Sequence, residues 1–254
     1  MNNTMIGQGT KPLICVPLVG RTGDAVMAEL SEVLVKKPDV IEWRADFFGD
    51  ISQSDEVIRI ANWIKKAAGD IPFIFTVRSR REGGQPITLN DHDILELLIN
   101  ICQNTGWEYI DYELSNPPAY IECLRTVALK TKKKIIGSFH DFEGTPAADI
   151  LLQKFAQAVQ YQLDVAKVAV MPRTLEDVLA LLQVTLAAKR LVNIPIITIS
   201  MGRYGVISRM IGGVFGSALS FAIGANSSAP GQIQIDDLRT VLTVIEKAIG
   251  ASNN

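Results

Sequence analysis

Val165-Ala-Lys-Val-Ala-Val-Met171 is a short apolar run with one ammonium group, Lys167, near its centre. A run of this length, rich in β-branched residues, reads as a strand buried on both faces, as in parallel sheets covered by helices. A lone buried ammonium is unfavourable by several kcal/mol unless it is paired or gives up its proton. Three readings follow for Lys167. It reaches water along its aliphatic stem, it has a charged partner, or it is a desolvated amine able to attack a carbonyl and form a Schiff base.

On either side of this run, short β-rich segments alternate with longer amphipathic ones. Strands are expected near Leu13–Val16, Val40–Arg44, Phe73–Arg78, Tyr109–Glu113, Ile135–His140, Val165–Ala169, Ile196–Ser200 and Ser220–Gly224. Helices are expected over Asp24–Lys36, Ser54–Ala68, Asp91–Asn104, Pro118–Thr131, Ala147–Gln162, Thr174–Lys189 and Ile235–Ile249. The repeat of roughly 30 residues is one strand, helix and loop, and about 250 residues is the usual size of a (β/α)8 barrel. No linker or shift in composition divides the chain, so the expectation is an α/β protein with one (β/α)8 TIM barrel over residues 1–254. A doubly wound sheet is the competitor. Gly20-Arg-Thr-Gly23 after the first strand lacks the third glycine and the later acid of a dinucleotide-binding turn.

Composition narrows the function. Lys and Arg number 25 against 27 Asp and Glu, a net charge of -2, which gives no global attraction for nucleic acid. No uncharged run reaches the length needed to cross a membrane; the apolar segment from Ile211 to Ala225 comes closest and is too short. Three cysteines and no basic-then-apolar leader predict reduced thiols and a cytoplasmic protein. No Cys or His spacing suggests a metal site.

Side chains alternate faces along a strand, and active sites of barrels sit at the carboxyl ends of the strands. Ile41, Trp43 and Ala45 then pack under helices, while Glu42, Arg44 and Asp46 look into the barrel mouth. The same alternation turns Ile74, Thr76 and Arg78 inward, then Asp111 and Glu113, then Ser138 and His140, and finally Lys167. Five strands aiming ionisable groups at one end indicate a site for an oxygen-rich, anionic ligand, with Arg44, Arg78 and Arg209 as its cations. His140, one strand from the buried lysine, is a natural proton shuttle. His92 lies in the first turn of a helix beside two aspartates and reads as a surface residue, and Lys130-Thr-Lys-Lys-Lys134 reads as a cationic helix end. Glu82-Gly-Gly84 and Ser227-Ser-Ala-Pro-Gly-Gln232 follow the third and eighth strands as mobile loops, the second a lid with Ser228 and Gln232 at its tip.

Glu42-Trp-Arg-Ala-Asp46, Phe75-Thr-Val-Arg-Ser79, Glu82-Gly-Gly84, His140-Asp-Phe142, Lys167-Val-Ala-Val-Met-Pro172, Gly205-Val-Ile-Ser-Arg209, Phe215-Gly-Ser217 and Ser228-Ala-Pro-Gly-Gln232 together resemble type I 3-dehydroquinate dehydratase of the shikimate pathway. The ordered set runs from about residue 11 to residue 249. The resemblance implies a (β/α)8 barrel that converts 3-dehydroquinate to 3-dehydroshikimate without metal or cofactor, often as a homodimer. It implies that Lys167 forms an imine with the substrate ketone and that His140 moves protons. Glu82 would orient His140, with Asp111 supporting the same network. Arg209 would pair with the substrate carboxylate, while Glu42, Arg44, Arg78, Ser228 and Gln232 hold its hydroxyls and close the lid. Arginines near Lys167 are expected to favour its neutral form. Pro17 departs from the pattern, since a small hydroxyl residue can contribute there. A Schiff-base aldolase and a non-catalytic binder of polyhydroxy acids remain as alternatives, the first short of a phosphate site and the second leaving His140 and Lys167 without a task.

Overall fold

The structure is a computed structural model and describes residues 5–9 and 11–251. Its strands are β1 (Leu13–Leu18), β2 (Val40–Arg44), β3 (Phe73–Thr76), β4 (Tyr109–Glu113), β5 (Lys134–Asp141), β6 (Val165–Val170), β7 (Ile196–Ser200) and β8 (Leu219–Phe221). Between and after them lie α1 (Gly23–Val35), α2 (Ser54–Ala68), α3 (Asp91–Asn104), α4 (Pro118–Thr131), α5 (Ala148–Gln160), α6 (Leu175–Leu191), α7 (Gly202–Phe215) and α8 (Ile235–Ala251). The strands form one parallel sheet in the order β7-β6-β5-β4-β3-β2-β1-β8. Between its two ends a parallel bridge joins Ile196 to Ser217, and Ala218 N donates to Ile196 O at 2.8 Å, so the sheet nearly closes on itself. This is the TIM barrel that the alternation predicts.

Period-two alternation divides the apolar residues into two layers. Trp43, Phe73, Phe75 and Trp107 lie outside the sheet, beneath the helices, with ring centroids of neighbours 5.0–5.9 Å apart. Leu13, Cys15, Val40, Ile74, Tyr109 and Ile136 fill the barrel's interior. At the amino-terminal end Ile6 is buried and its N–H donates to the Tyr109 hydroxyl at 3.1 Å. The lower barrel is thus filled by apolar side chains, and the buried charged groups gather at the upper end.

Helix starts follow their sequence signals. Asn90 accepts from His92 N and Asp93 N, and Asp93 reaches back to Asn90 N, closing a capping box on α3. His92 sits in this first turn and is exposed, as its sequence context suggests.

β3 stops at Thr76, short of the expected Arg78, and β8 spans Leu219–Phe221 in place of Ser220–Gly224. Three further features differ from the sequence reading. The stretch after β7, expected only as a connection carrying Arg209, is a full helix, α7. Its four glycines disfavour a helix in isolation, yet the packing needs one of them. A Cβ on Gly205 would lie 2.1 Å from Ser200 O, so only glycine lets α7 settle onto the end of β7. Gly205→Ala is expected to destabilise the fold by about 1–3 kcal/mol, seen in a thermal melt as a drop of several degrees; an unchanged melting temperature would refute this packing.

Pro17 is the second. Leu13 N and Cys15 O bond towards β8 while Ile14 O bonds towards β2, so alternation points the missing N–H of Pro17 at the β8 side. β8 ends at Phe221, and the ladder there has no rung for residue 17 to complete. β1 therefore continues through Pro17 to Leu18.

The third is Glu82-Gly-Gly84, which is not a loose loop. Arg80–Glu82 form a 3-10 turn, Gly83 adopts a left-handed φ of 84°, and Glu82 N and Gly84 N both donate to Ser79 O. Among the described residues, no helix is long and apolar enough to cross a membrane.

Candidate active site

The carboxyl ends of the strands surround a cleft open to solvent and lined by Glu42, Arg44, Arg78, Glu82, His140 and Lys167, with Arg209, Ser228 and Gln232 on its other side. Asp111, 1% exposed, lies beneath this lining, as do Asp46, Thr76, Glu113 and Ser138, which the alternation also turns inward. Adjacent rungs of the sheet explain the convergence. Glu113 on β4, Ser138 on β5 and Lys167 on β6 are in register, so their inward side chains stand side by side.

Lys167 is 5% exposed and its Nζ lies 2.9 Å from Asp111 Oδ2 and 3.7 Å from Glu42 Oε1, over the Phe221 ring at 4.7 Å from the centroid. Its nearest charged neighbours are therefore carboxylates and not the arginines expected from sequence. The arginines face those carboxylates from the other side. Arg78 Nη2 donates to Asp111 Oδ1 at 2.7 Å, and Ser138 Oγ donates to the same oxygen at 2.6 Å. Burial would push the Asp111 carboxyl up, but Arg78 and Lys167 overcome it and hold the group well below the usual carboxylate range. Asp111 is consequently a fixed anion that anchors Lys167, and it makes no hydrogen bond to His140 among the described residues.

Glu82 takes the position beside His140. Its Oε2 lies 2.8 Å from His140 Nδ1 and accepts the His140 backbone N–H at 2.9 Å, which leaves His140 Nε2 on the cleft. Burial, reinforced by Arg78 and Lys167, pushes the imidazole well below its ordinary range. It is neutral near pH 7, the state a base requires. Burial and the charge of Glu113 push the Glu82 carboxyl up to about 7, against the opposing pull of Arg78. At 2.8 Å, Glu82 and His140 are close enough for the proton of one to bear on that of the other.

Two of the three arginines are already engaged by protein. Arg44 forks onto Asp46, Nε to Oδ1 and Nη2 to Oδ2, both at 2.8 Å. Arg78 contacts Asp111, Glu113 and Glu82, the last at 3.7 Å, and donates to Ser138 Oγ. Arg209 is different. It is 3% exposed, its guanidinium reaches only the carbonyl oxygens of Pro230 at 3.0 Å and Phe221 at 3.4 Å, and Nε has no hydrogen-bond partner. No carboxylate pairs with it among the described residues. Burial alone pushes it down to about 10, the mark of a cation without a counter-ion.

On the remaining side, Gln232 Oε1 accepts from Ser228 N at 3.0 Å and its Nε2 donates to Ser228 Oγ at 3.2 Å, folding the β8–α8 connection over the cleft. Asn226 ties that connection to the buried Glu29, which also accepts from Val19 N and Gly20 N. Neither Glu29 nor the apolar wall of Phe142, Met201 and Phe221 is visible in the alternation of charged residues. Phe142 and Met201 each follow a strand by one residue, and that position is the signal that could have found them. Among the described residues, no cluster of three or more His, Cys, Asp or Glu is arranged to hold a metal ion.

Comparison with known proteins gives one consistent family. A family profile described as Type I 3-dehydroquinase matches residues 14–249. The 3-dehydroquinate dehydratase of Albidiferax ferrireducens is 51% identical over 245 residues, 96% of this chain and 93% of that protein. The crystal structure of 3-dehydroquinate dehydratase from Geobacillus kaustophilus is 47% identical and superposes with a TM-score of 0.93, covering 94% of this chain and 93% of that one. The type I enzyme of Clostridium difficile, solved with covalent modified comenic acid, is 36% identical with a TM-score of 0.91, covering 96% and 95%.

Proposed function

The chain belongs to the type I 3-dehydroquinase family, and from that premise we propose that Lys167 is the amine that forms an imine with the substrate ketone and His140 the group that moves the protons. The reaction is the dehydration of 3-dehydroquinate to 3-dehydroshikimate, a hydro-lyase step of the shikimate pathway. The observation that carries the assignment is the meeting in one cleft of a buried amine and a carboxylate-backed histidine with a free Nε2.

Attack on the ketone needs the free amine. Asp111, held strongly as a carboxylate, positions the ammonium but is a poor acceptor of its proton. His140, neutral and facing the cleft, takes that role, and the hydroxyl of the carbinolamine then leaves as water. The iminium withdraws electrons from the adjacent carbon, whose C–H becomes acidic enough for His140 Nε2 to remove its proton. Electrons move through the resulting enamine to expel the hydroxyl one carbon further on, and His140 returns its proton to that oxygen. Hydrolysis of the product imine consumes one of the two waters released, so the turnover yields one water. Glu82 stabilises the imidazolium that exists between the two proton transfers.

Arg209, the buried cation without a protein counter-ion, binds the substrate carboxylate. Glu42, Arg44, Ser228 and Gln232 contact the hydroxyls. Arg78 acts on the ligand less directly, since its donors already hold Asp111 and Glu113. Arg209→Met is expected to raise KM about 100-fold, the scale of a lost charge-assisted pair, and to leave or raise the melting temperature of the ligand-free protein. The enone product absorbs in the ultraviolet, so KM is read directly. A KM within two- or three-fold of the parent would overturn the carboxylate assignment.

Residues 1–254 act on this reading as one catalytic domain that assembles as a homodimer in the cytoplasm. Support for the single domain comes from the one eight-stranded sheet that carries every named strand. Light scattering that gave the mass of one chain at micromolar concentration would refute the dimer.

A further inference from the structure

We propose that Ser115 is a positioning residue of the reaction, whose hydroxyl holds Glu82 in the ionised state and so keeps the proton of neutral His140 on Nδ1. The proposal rests on the assignment of His140 as the base. Ser115 follows β4 by two residues, in the turn before α4, and is itself exposed. Its Oγ donates to Glu82 Oε1 at 2.7 Å, while the other oxygen of that carboxylate serves His140 through both the backbone N–H and Nδ1.

This division of labour sets the tautomer. With Glu82 ionised, Oε2 accepts the Nδ1 proton, and Nε2 presents its lone pair to the cleft. With Glu82 protonated, the carboxyl can donate to Nδ1, the ring proton moves to Nε2, and the histidine can no longer act as a base. A donor on Oε1 favours the first arrangement. The balance is delicate, because burial and Glu113 push the Glu82 carboxyl up to about 7. The charged groups around Glu82 come from several elements. Arg78, two residues past β3, lies 3.7 Å away and Arg81 shares its turn. Asp111 and Glu113 approach from β4, His140 from β5, and Lys167 on β6 acts on the same imidazole. Arg78 is shared among three carboxylates, so it cannot by itself secure the ionised state. Ser115 supplies the one neutral donor to Glu82 Oε1 among the described residues.

The test is the pH dependence of kcat for the parent protein, Ser115→Ala and Ser115→Thr, each also treated with borohydride and 3-dehydroquinate. Because Ser115 is exposed, both variants leave the core intact. Loss of a hydrogen bond to a charged group moves the acid limb of Ser115→Ala up by about one pH unit, a roughly ten-fold loss of kcat below the limb. The profiles should converge at high pH, KM should stay at the parent value, and Ser115→Thr should restore the parent profile. Coincident profiles would overturn the proposal, and so would a loss of kcat equal at every pH with no rescue by threonine. If the parent protein gave no borohydride adduct, the lysine assignment would fail and take this inference with it. An adduct together with coincident profiles overturns the role of Ser115 alone.

Discussion

Lys167→Met is expected to fold, to bind 3-dehydroquinate, and to lose turnover by a factor on the order of 10⁵ or more, the scale on which removal of a covalent nucleophile is felt. Folding survives for a structural reason. Methionine is close to the lysine stem in volume, and Asp111, deprived of Lys167, keeps Arg78 at 2.7 Å and Ser138 at 2.6 Å. A buried anion is left paired, so the usual penalty for breaking a buried ion pair from one side is reduced. Binding should survive because the proposed carboxylate and hydroxyl contacts lie elsewhere, on Arg209 and the Ser228–Gln232 connection. Titration calorimetry and the ultraviolet assay measure the two properties separately. A variant that retained more than about a hundredth of the parent kcat would show that proton transfer and electrostatics, and not an imine, carry the reaction.

His140→Ala carries the second large effect. A positioned proton-transfer group contributes typically 10²–10⁴-fold, and His140 serves more than one step, so kcat should fall by about 10³–10⁴-fold. Glu82 keeps its bond from the backbone N–H of residue 140 and its bond from Ser115, so the turn that carries it should stay in place. The amine is untouched, and the variant should still form an adduct with borohydride, only more slowly. Its residual rate should lose the acid limb that the Glu82–His140 pair imposes on the parent, since the group that must be neutral has gone. The sign follows from the direction of the shifts. Protonation of the pair as pH falls below about 7 removes the base, so parent activity falls toward acid. Retention of that limb in His140→Ala would place the controlling ionisation on another group.

Much of this site is written in the alternation of the strands. A period of two forces Lys167, His140, Arg78, Asp111 and Glu42 inward whenever their neighbours Val168, Phe139, Val77, Ile110 and Trp43 are needed outside, and the carboxyl end is where the loops leave room for a ligand. Partner choice is not written there. Which acid meets which base depends on the stagger between strands, and that stagger places Asp111 on Lys167 and leaves Glu82 to His140. Sequence likewise gives no means of seeing that Asp46 compensates the charge of Arg44 while Arg209 keeps its own uncompensated. α7 escaped notice because Gly205 and its companions lower local helix propensity, whereas the contact of Gly205 with Ser200 exists only once β7 is in place. Nothing in the sequence singles out Ser115, whose partner stands 33 positions away.

The central claim is an imine on Lys167, and borohydride reduction in the presence of 3-dehydroquinate, followed by intact mass and peptide mapping, tests it most directly. Imine formation expels one water and reduction adds two hydrogens, so the protein should gain the mass of substrate or product less one oxygen atom. The added mass should map to the peptide containing Lys167 and be absent from Lys167→Met. A protein that binds and dehydrates 3-dehydroquinate yet gains no mass, or gains it on another lysine, would contradict the account.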